Sequence, residues 1–217
     1  MNEKVFYDIS YGMYIVTTKH QGKNVGCIAN SFCQITATDF VVSISLNKNN
    51  CTNQAIKSTK KFCLSIISEQ TNPELIKKFG FYSSSQIDKF DDFEYENIDN
   101  LPVIKENTCG YIVCDVFDVV DCGTHDLFLA RVCQTEKLCD FEPMTYAYYH
   151  KVIKGKAPKN APTYIEQTAP KTEGKKHQCL LCGYIYDDAT QTTRFEDLSA
   201  DWQCPLCGAE KSLFKQI

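Results

Sequence analysis

The chain has 217 residues, 43% of them hydrophobic and 23% charged, which suits a medium domain and a small one around buried cores. With 27 acidic against 23 basic side chains the formal charge is −4, so no basic surplus exists to neutralise phosphates, and no nucleic-acid partner is expected. Mean hydropathy is −0.30, no apolar run approaches the roughly 18 residues of a membrane span, and no basic-then-apolar leader opens the chain, so the expectation is a cytoplasmic protein with no membrane partner.

The first predicted strand is Met13 to Thr18, rich in β-branched and aromatic residues. A turn at Gln21 to Asn24 leads to a partner strand, Val25 to Ala29. Phe40 to Leu46 is the next strand. A short helix, Thr52 to Ser58, follows polar capping residues, and Phe62 to Ser68 returns as a strand. The second helix runs from Asn72 to Phe79, with Asn72 as N-cap, Pro73 at the first helical position and Gly80 after its end. Gly110 to Val120 and Leu127 to Thr135 complete at least six strands. The fold class is therefore mainly β, a small antiparallel barrel with two short helices.

Charge divides the chain into three parts. Residues 1–150 carry 13 basic and 19 acidic side chains; 151–176 carry seven lysines against Glu166 and Glu173; 177–217 carry three basic and six acidic. The middle part also holds Pro158, Pro162 and Pro170 without apolar periodicity, the composition of an extended tether. The expected boundaries are a domain at 1–155, a Lys/Pro-rich linker at 156–176 and a small domain at 177–217.

Thirteen cysteines fall into two groups. Nine lie between Cys27 and Cys139 with no repeated short spacing, many in apolar runs such as Phe62 to Ile66 and Ile112 to Val116. An odd total in a reducing setting argues against a disulfide framework and for small buried hydrophobes. The other four form two copies of one loop, Cys179-Leu-Leu-Cys182-Gly and Cys204-Pro-Leu-Cys207-Gly. Two intervening residues let both thiolates of a loop reach one ion, and the following glycine permits the turn that aims backbone amides at sulfur. Two such loops make a closed S4 site suited to zinc or iron, and spacing alone favours structural zinc.

The flanking residues shift that balance. Cys179 to Asp187 with Tyr184 and Tyr186, then Asp201-Trp202-Gln203 before the second loop, closely resemble rubredoxin, the mononuclear iron electron carrier. The resemblance covers 177–217 and implies one iron on Cys179, Cys182, Cys204 and Cys207. It also implies an aromatic core of Tyr186, Phe195, Trp202 and Phe214, and shielding of the metal by Leu181 and Leu206. Two features depart from the pattern: only 21 residues separate Cys182 from Cys204, and His177, expected at the surface, stands where an aromatic residue is usual.

In the first domain no Gly-x-Gly-x-x-Gly follows a strand, so no Rossmann fingerprint is present. Ala29 to Thr36 and Ser45 to Asn53 instead gather hydroxyls, amides, one lysine and a helix N-terminus. These are the donors of a phosphate cradle, and equally the composition of ordinary turns. The Ala-Asn-Ser-Phe segment, Ser45-Leu46-Asn47-Lys48, Lys61 to Ile66, Asp88-Lys89-Phe90 and Gly123 to Phe128 together resemble the flavin reductase family, with its FMN-binding split barrel. That resemblance implies that Asn30, Ser31, Ser45, Leu46, Asn47, Lys48 and Thr52 hold FMN. It puts Lys89 and Phe90 on a loop over the flavin and His125, the catalytic candidate, near the flavin or the nicotinamide. It also implies a homodimer with FMN near the subunit interface. Tyr146, Tyr148 and Tyr149 read as packing residues.

A split barrel followed by a rubredoxin domain resembles the high molecular weight rubredoxins. The family implies an NAD(P)H-dependent flavoprotein oxidoreductase that passes electrons through FMN and iron to a flavodiiron protein reducing O2 or NO. Two alternatives stay open: a free-flavin reductase with a structural zinc module, and a flavin or redox sensor without turnover.

Overall fold

The fold comes from a computed structural model, which describes residues 2–153, 175–191 and 193–217. The expected linker, 156–176, lies outside these residues except for Lys175 and Lys176. The chain divides into two compact units, Met1–Ile165 and Glu166–Ile217.

The first unit follows the predicted order with additions. It contains β1 (Tyr14–His20), β2 (Lys23–Ala29), β3 (Phe32–Gln34), β4 (Val41–Asn47), α1 (Cys51–Thr59), β5 (Lys61–Ile67), α2 (Pro73–Phe81), β6 (Glu96–Ile98), β7 (Leu101–Val103), β8 (Thr108–Asp121), β9 (His125–Lys137) and α3 (Tyr146–Lys151). Seven strands form one antiparallel sheet in the order β2-β1-β5-β8-β9-β4-β3, and β6 pairs with β7 alone.

Period-two alternation decides which side chains go inward. Val16, Ala29, Ile44, Leu64, Cys114 and Phe128, from six strands, meet in one core with Ile56 of α1. Since β2 is one edge of the sheet and β4 neighbours the other, the sheet must curl around this shared face. Phe128, Ile44 and Leu64 are fully buried, and burial of each such side chain contributes roughly 1.5–3 kcal/mol. The opposite face feeds two smaller cores. Met13, Ile15 and Ile67 pack with Leu75, Ile76 and Phe79 of α2, and with Phe90 and Tyr149; Tyr146 and Tyr148 pack against this group. Cys63 and Val113 pack with Leu101 and Val103 of β7.

Two expectations need correction, and one hairpin is added. Helix α2 continues through Gly80 and Phe81 to a cap at Tyr82, with Gly80 packed beside the Ile28 side chain. The β6–β7 hairpin was not foreseen: its turn, Asp99-Asn100, holds both residues at positive φ, the type I′ geometry that suits the strand twist. Of the nine cysteines only Cys27, Cys63 and Cys114 are buried. Cys51, Cys109 and Cys139 are partly exposed, and Cys33, Cys122 and Cys133 are exposed. An apolar run on a strand still sends every second residue outward.

The second unit is built on β10 (Lys176–Cys179), β11 (Ile185–Asp187) and β12 (Phe214–Gln216), in the order β11-β10-β12. Its core is aromatic. Tyr186, Phe195, Trp202 and Phe214 lie with neighbouring ring centroids 5.1–5.8 Å apart. His177 is not at the surface: it is buried and stacked on Phe195 at 4.2 Å and 15°. The imidazole fills the aromatic position, which is why this departure leaves the core intact.

Candidate functional site

The four ligand cysteines sit on two loops with matching backbone bonds. Cys179 N donates to Tyr184 O and Cys204 N to Ala209 O, both at 2.8 Å; Gly183 N donates to Cys179 O at 2.9 Å and Gly208 N to Cys204 O at 2.8 Å. Gly183 and Gly208 have φ of 78° and 71°, the left-handed turn that only glycine enters without strain. Cys179 and Cys204 are buried, while Cys182 and Cys207 are exposed.

All four Sγ atoms lie within 4.8 Å of one another, with Cys179–Cys207 at 3.8 Å and Cys182–Cys204 at 3.6 Å. A tetrahedron with metal–sulfur bonds of about 2.3 Å has edges of about 3.8 Å, so the thiols already stand near its corners. Burial opposes ionisation of Cys179, but the amides of Cys182 and Leu181 and the neighbouring thiols bring it down to about 7. Cys207 receives the Ala209 amide, yet the crowd of Cys182, Cys204 and Cys179 pushes it up to about 12. Four sulfurs this close ionise together only around a cation, and the set fits a four-thiolate metal. Leu181 and Leu206, exposed at 69% and 70%, hold matching positions beside the exposed cysteines.

In the first unit, strand register brings most of the predicted cradle to one end of the sheet. Phe32 pairs with Ile44, which sets Ser31 beside Ser45, and Ser31 Oγ donates to Ser45 O at 2.7 Å. Asn47 pairs with His125. Lys48 Nζ meets Asp121 at 2.5 Å across the β8–β9 turn, and its amide donates to Thr124 O. Helix α1 begins here, with Asn50 accepting from Thr52 N. His125 Nδ1 is 2.8 Å from Thr124 Oγ1. Asn53 Oδ1 and His125 Nε2 are buried with no hydrogen-bond partner among the described residues, whereas the Thr52 hydroxyl bears on the Cys27 thiol. Orphaned polar atoms cost about 1–3 kcal/mol each, and a lysine, hydroxyls, amides and a helix N-terminus suit an anionic polar ligand. This end fits a flavin phosphate and ring edge.

Not every predicted residue faces outward there. Leu46 is buried in the barrel core. Thr52 is fully buried, and its side chain and that of Asn50 bear on the Cys27 thiol, whose ionisation burial suppresses. Lys89 and Phe90 do not stand on an open loop. Lys89 is buried, with Nζ donating to Gly26 O at 2.8 Å and Phe79 O at 3.1 Å, and desolvation lowers its ammonium to about 8. The carbonyl end of α2 attracts this charge inward. Phe90 packs edge-on against Phe79 at 5.2 Å. Sequence reasoning placed Asn53 within the cradle segment without giving it a role and missed Asp121, for which the turn composition at Cys122-Gly123 was the available signal.

A family model described as the flavin reductase like domain matches residues 6–155, and the rubredoxin model matches 176–214. Over 229 aligned positions, covering all of both chains, the sequence is 36% identical to a high molecular weight rubredoxin from Moorella thermoacetica. The chain belongs to the high molecular weight rubredoxin family. It is also 39% identical, over 76% of its length and 99% of the relative's, to a ferric-chelate reductase (NAD(P)H) from Archaeoglobus fulgidus. Among solved structures, nitrilotriacetate monooxygenase component B from Mycobacterium thermoresistibile matches with a TM-score of 0.58 and 26% identity, covering 64% of this chain and 76% of that one. The fold is thus a flavin reductase-like barrel with a C-terminal rubredoxin domain, and the protein is a flavin reductase-like oxidoreductase fused to rubredoxin.

Proposed function

We propose that the chain takes electrons from NAD(P)H at FMN held by the first domain, passes them to one iron in the four-thiolate site, and delivers them to a flavodiiron-type O2 or NO reductase. The domains would be 1–155 and 177–217, joined by 156–176, in a cytoplasmic homodimer with the flavin near the subunit interface. What carries this reading is the union, in one chain, of a flavin reductase like domain and a preformed four-thiolate site.

When bound, the flavin supplies exchange between hydride and single-electron chemistry, and the iron supplies one-electron carriage. The chain's own residues bind and orient. Lys48, Ser31, Asn30, Asn47 and the first turn of α1 would hold phosphate and ring edge, with Ser45, Leu46 and Thr52 forming the wall behind. His125, fixed through Thr124, would sit at the ring or the nicotinamide as the catalytic residue. Lys89 and Phe90 would support the cradle from the second core. The amides that converge on Cys179, Cys182 and Cys207 hold thiolate charge, while Leu181 and Leu206 limit water at the metal.

Anaerobic stopped-flow with NADH tests the route. Flavin absorbance should fall first and the iron–thiolate bands afterwards, in protein without added carrier. Flavin reduction with iron left oxidised would refute transfer between the two centres. A second reading, direct reduction of chelated ferric iron, draws on the Archaeoglobus relative. It predicts that Cys207→Ser retains ferric-chelate turnover, whereas the first predicts loss of all acceptor reduction that passes through the thiolate site.

A further inference from the structure

The open end of the β8–β9 hairpin, opposite the turn that carries His125, holds two thiols. Past the end of β9, Leu138 N donates to Cys109 O at 2.9 Å and Cys139 N reaches the same carbonyl at 3.4 Å. Sharing one acceptor draws Cys139 alongside Cys109. Their side chains then cross between the two segments in opposite directions: Cys109 Sγ lies 3.3 Å from Phe141 O, and Cys139 Sγ 3.2 Å from Thr108 O. Gly110 pairs with Lys137, so Cys139 stands one residue past the position opposite Cys109, and a disulfide tolerates Cα separations of about 4.4–6.8 Å. Both residues are partly exposed, so a small solute reaches them.

The surroundings are charged. Lys137 carries an ammonium raised first by Asp140 and further by Cys139 and Cys109, so one cation serves both sulfurs. Burial, then Cys139 and Glu142, raise the Cys109 thiol, and Lys137 opposes them. Of the other thiols of this unit, Cys51 is partly exposed and bears on the buried Cys27. Cys33, Cys122 and Cys133 turn to carbonyls of their own segments, at Gln34, Val120 and Arg131. Cys27, Cys63 and Cys114 are buried.

We propose that Cys109 and Cys139 form a peroxide-responsive dithiol that closes to an intrachain disulfide across the open end of the hairpin. One thiolate attacks a peroxide oxygen; the O–O bond breaks, the sulfur becomes a sulfenic acid, and the leaving oxygen departs as water after taking a proton. The second thiol attacks the sulfenic sulfur, the S–O bond breaks, a second water leaves and the S–S bond forms. Two thiols lose two electrons and two protons, and one peroxide gains them. A thiol reductant reverses the change.

The test uses the full-length, cofactor-loaded chain, reduced and desalted under argon, then exposed to one equivalent of hydrogen peroxide. Free thiols are alkylated in the native state before digestion and peptide mapping. The expected result is loss of alkylation at both positions, a linked Cys109–Cys139 peptide, and recovery of both on addition of dithiothreitol. In Cys109→Ser a sulfenic acid at Cys139 should be trapped by dimedone. Full alkylation of both residues after peroxide would overturn the proposal. So would oxidation of one without the other in the unaltered chain, or linkage of either to a different cysteine. The decisive measurement is on the unaltered chain, so the folding of a variant does not enter it.

Discussion

The chain uses one residue type in two opposed settings. In the second unit, loops present cysteine sulfur to backbone amides, and four sulfurs stand within 4.8 Å. In the first, Cys63 and Cys114 sit in the apolar cores and Cys27 beside Thr52 and Asn50, and burial pushes all three thiols up, to about 12 for Cys63. Amides favour thiolate at the loop sulfurs, but the crowding that raises Cys182 and Cys207 is relieved only by a cation, so these sulfurs take a metal; buried sulfurs of the barrel stay protonated and act as small hydrophobes. Environment, not residue identity, sets the chemistry, and substitution in each setting should have a different signature.

The largest effect is expected at the metal. Cys207→Ser should abolish the visible iron–thiolate bands and leave flavin absorbance intact, whereas Cys63→Ala should leave both spectra unchanged. Metal analysis of protein purified from its native host should find one iron per chain. Stoichiometric zinc there would place the site among structural ribbons instead.

The buried thiols should reveal themselves through pH. Their folded values lie above the unfolded value near 9, so the stability they contribute is fully present below pH 9 and is lost as pH rises towards 12. Cys63 and Cys114 should each remove about 1 kcal/mol between pH 9 and 10, and Cys27 acts in the same direction. Lys89 works the other way. Its folded value, about 8, lies below the ordinary 10.5, so its contribution grows with pH across that window and offsets roughly one thiol. The net expectation is a loss of stability between pH 9 and 10. The check is urea unfolding under reducing conditions, followed by far-ultraviolet circular dichroism. The single tryptophan, Trp202, lies in the second unit and reports that unit separately. In Cys63→Ala the slope should shrink; an unchanged slope would mean that this thiol titrates normally.

The two settings also differed in how far the sequence alone revealed them. The metal loops repeat a spacing whose geometry is local, so Cys179, Cys182, Cys204 and Cys207 were identifiable without any tertiary information. Six strands of the first unit were visible through β-branched runs, α2 through its Asn cap and α1 through polar residues before it; β3 and the β6–β7 hairpin were not. The inward turn of Lys89 was not, because it depends on carbonyls of Gly26 and Phe79 that come from β2 and α2. Likewise, His177 on its own reads as a polar surface residue; only the facing ring of Phe195 makes it a core aromatic. Cys33, Cys109 and Cys133 lie on strands, where pairing partners fix the phase that decides the face, whereas Cys51, Cys122 and Cys139 lie at a helix start or beyond strand ends.

At the cradle, Lys48→Ala should raise the FMN dissociation constant about 10- to 100-fold, the effect of losing one charged donor. Thr52→Ala should do much less, because its hydroxyl faces Cys27 and not the surface. Fluorescence titration of apoprotein with FMN checks both. Equal losses in the two variants would mean that Thr52 turns outward to the ligand, and the cradle would extend into α1.

The smallest effects probe the metal loops. Gly183 and Gly208 share a left-handed φ, and an added Cβ would meet nothing nearer than Gln178 Nε2 at 3.9 Å at the first and nothing within 4 Å at the second. Crowding is therefore absent at both, and the cost of Gly183→Ala or Gly208→Ala reduces to backbone strain of about 1–2 kcal/mol. Because each loop makes the same pair of backbone bonds, the two variants should lose equal stability in the metal-bound protein, read from Trp202 fluorescence on thermal unfolding. The iron–thiolate bands should persist in both. A markedly larger loss at Gly183 would show that the first loop, whose Cys179 belongs to β10, carries strain that its partner relaxes. The two-fold likeness of the loops would then end at their hydrogen bonds.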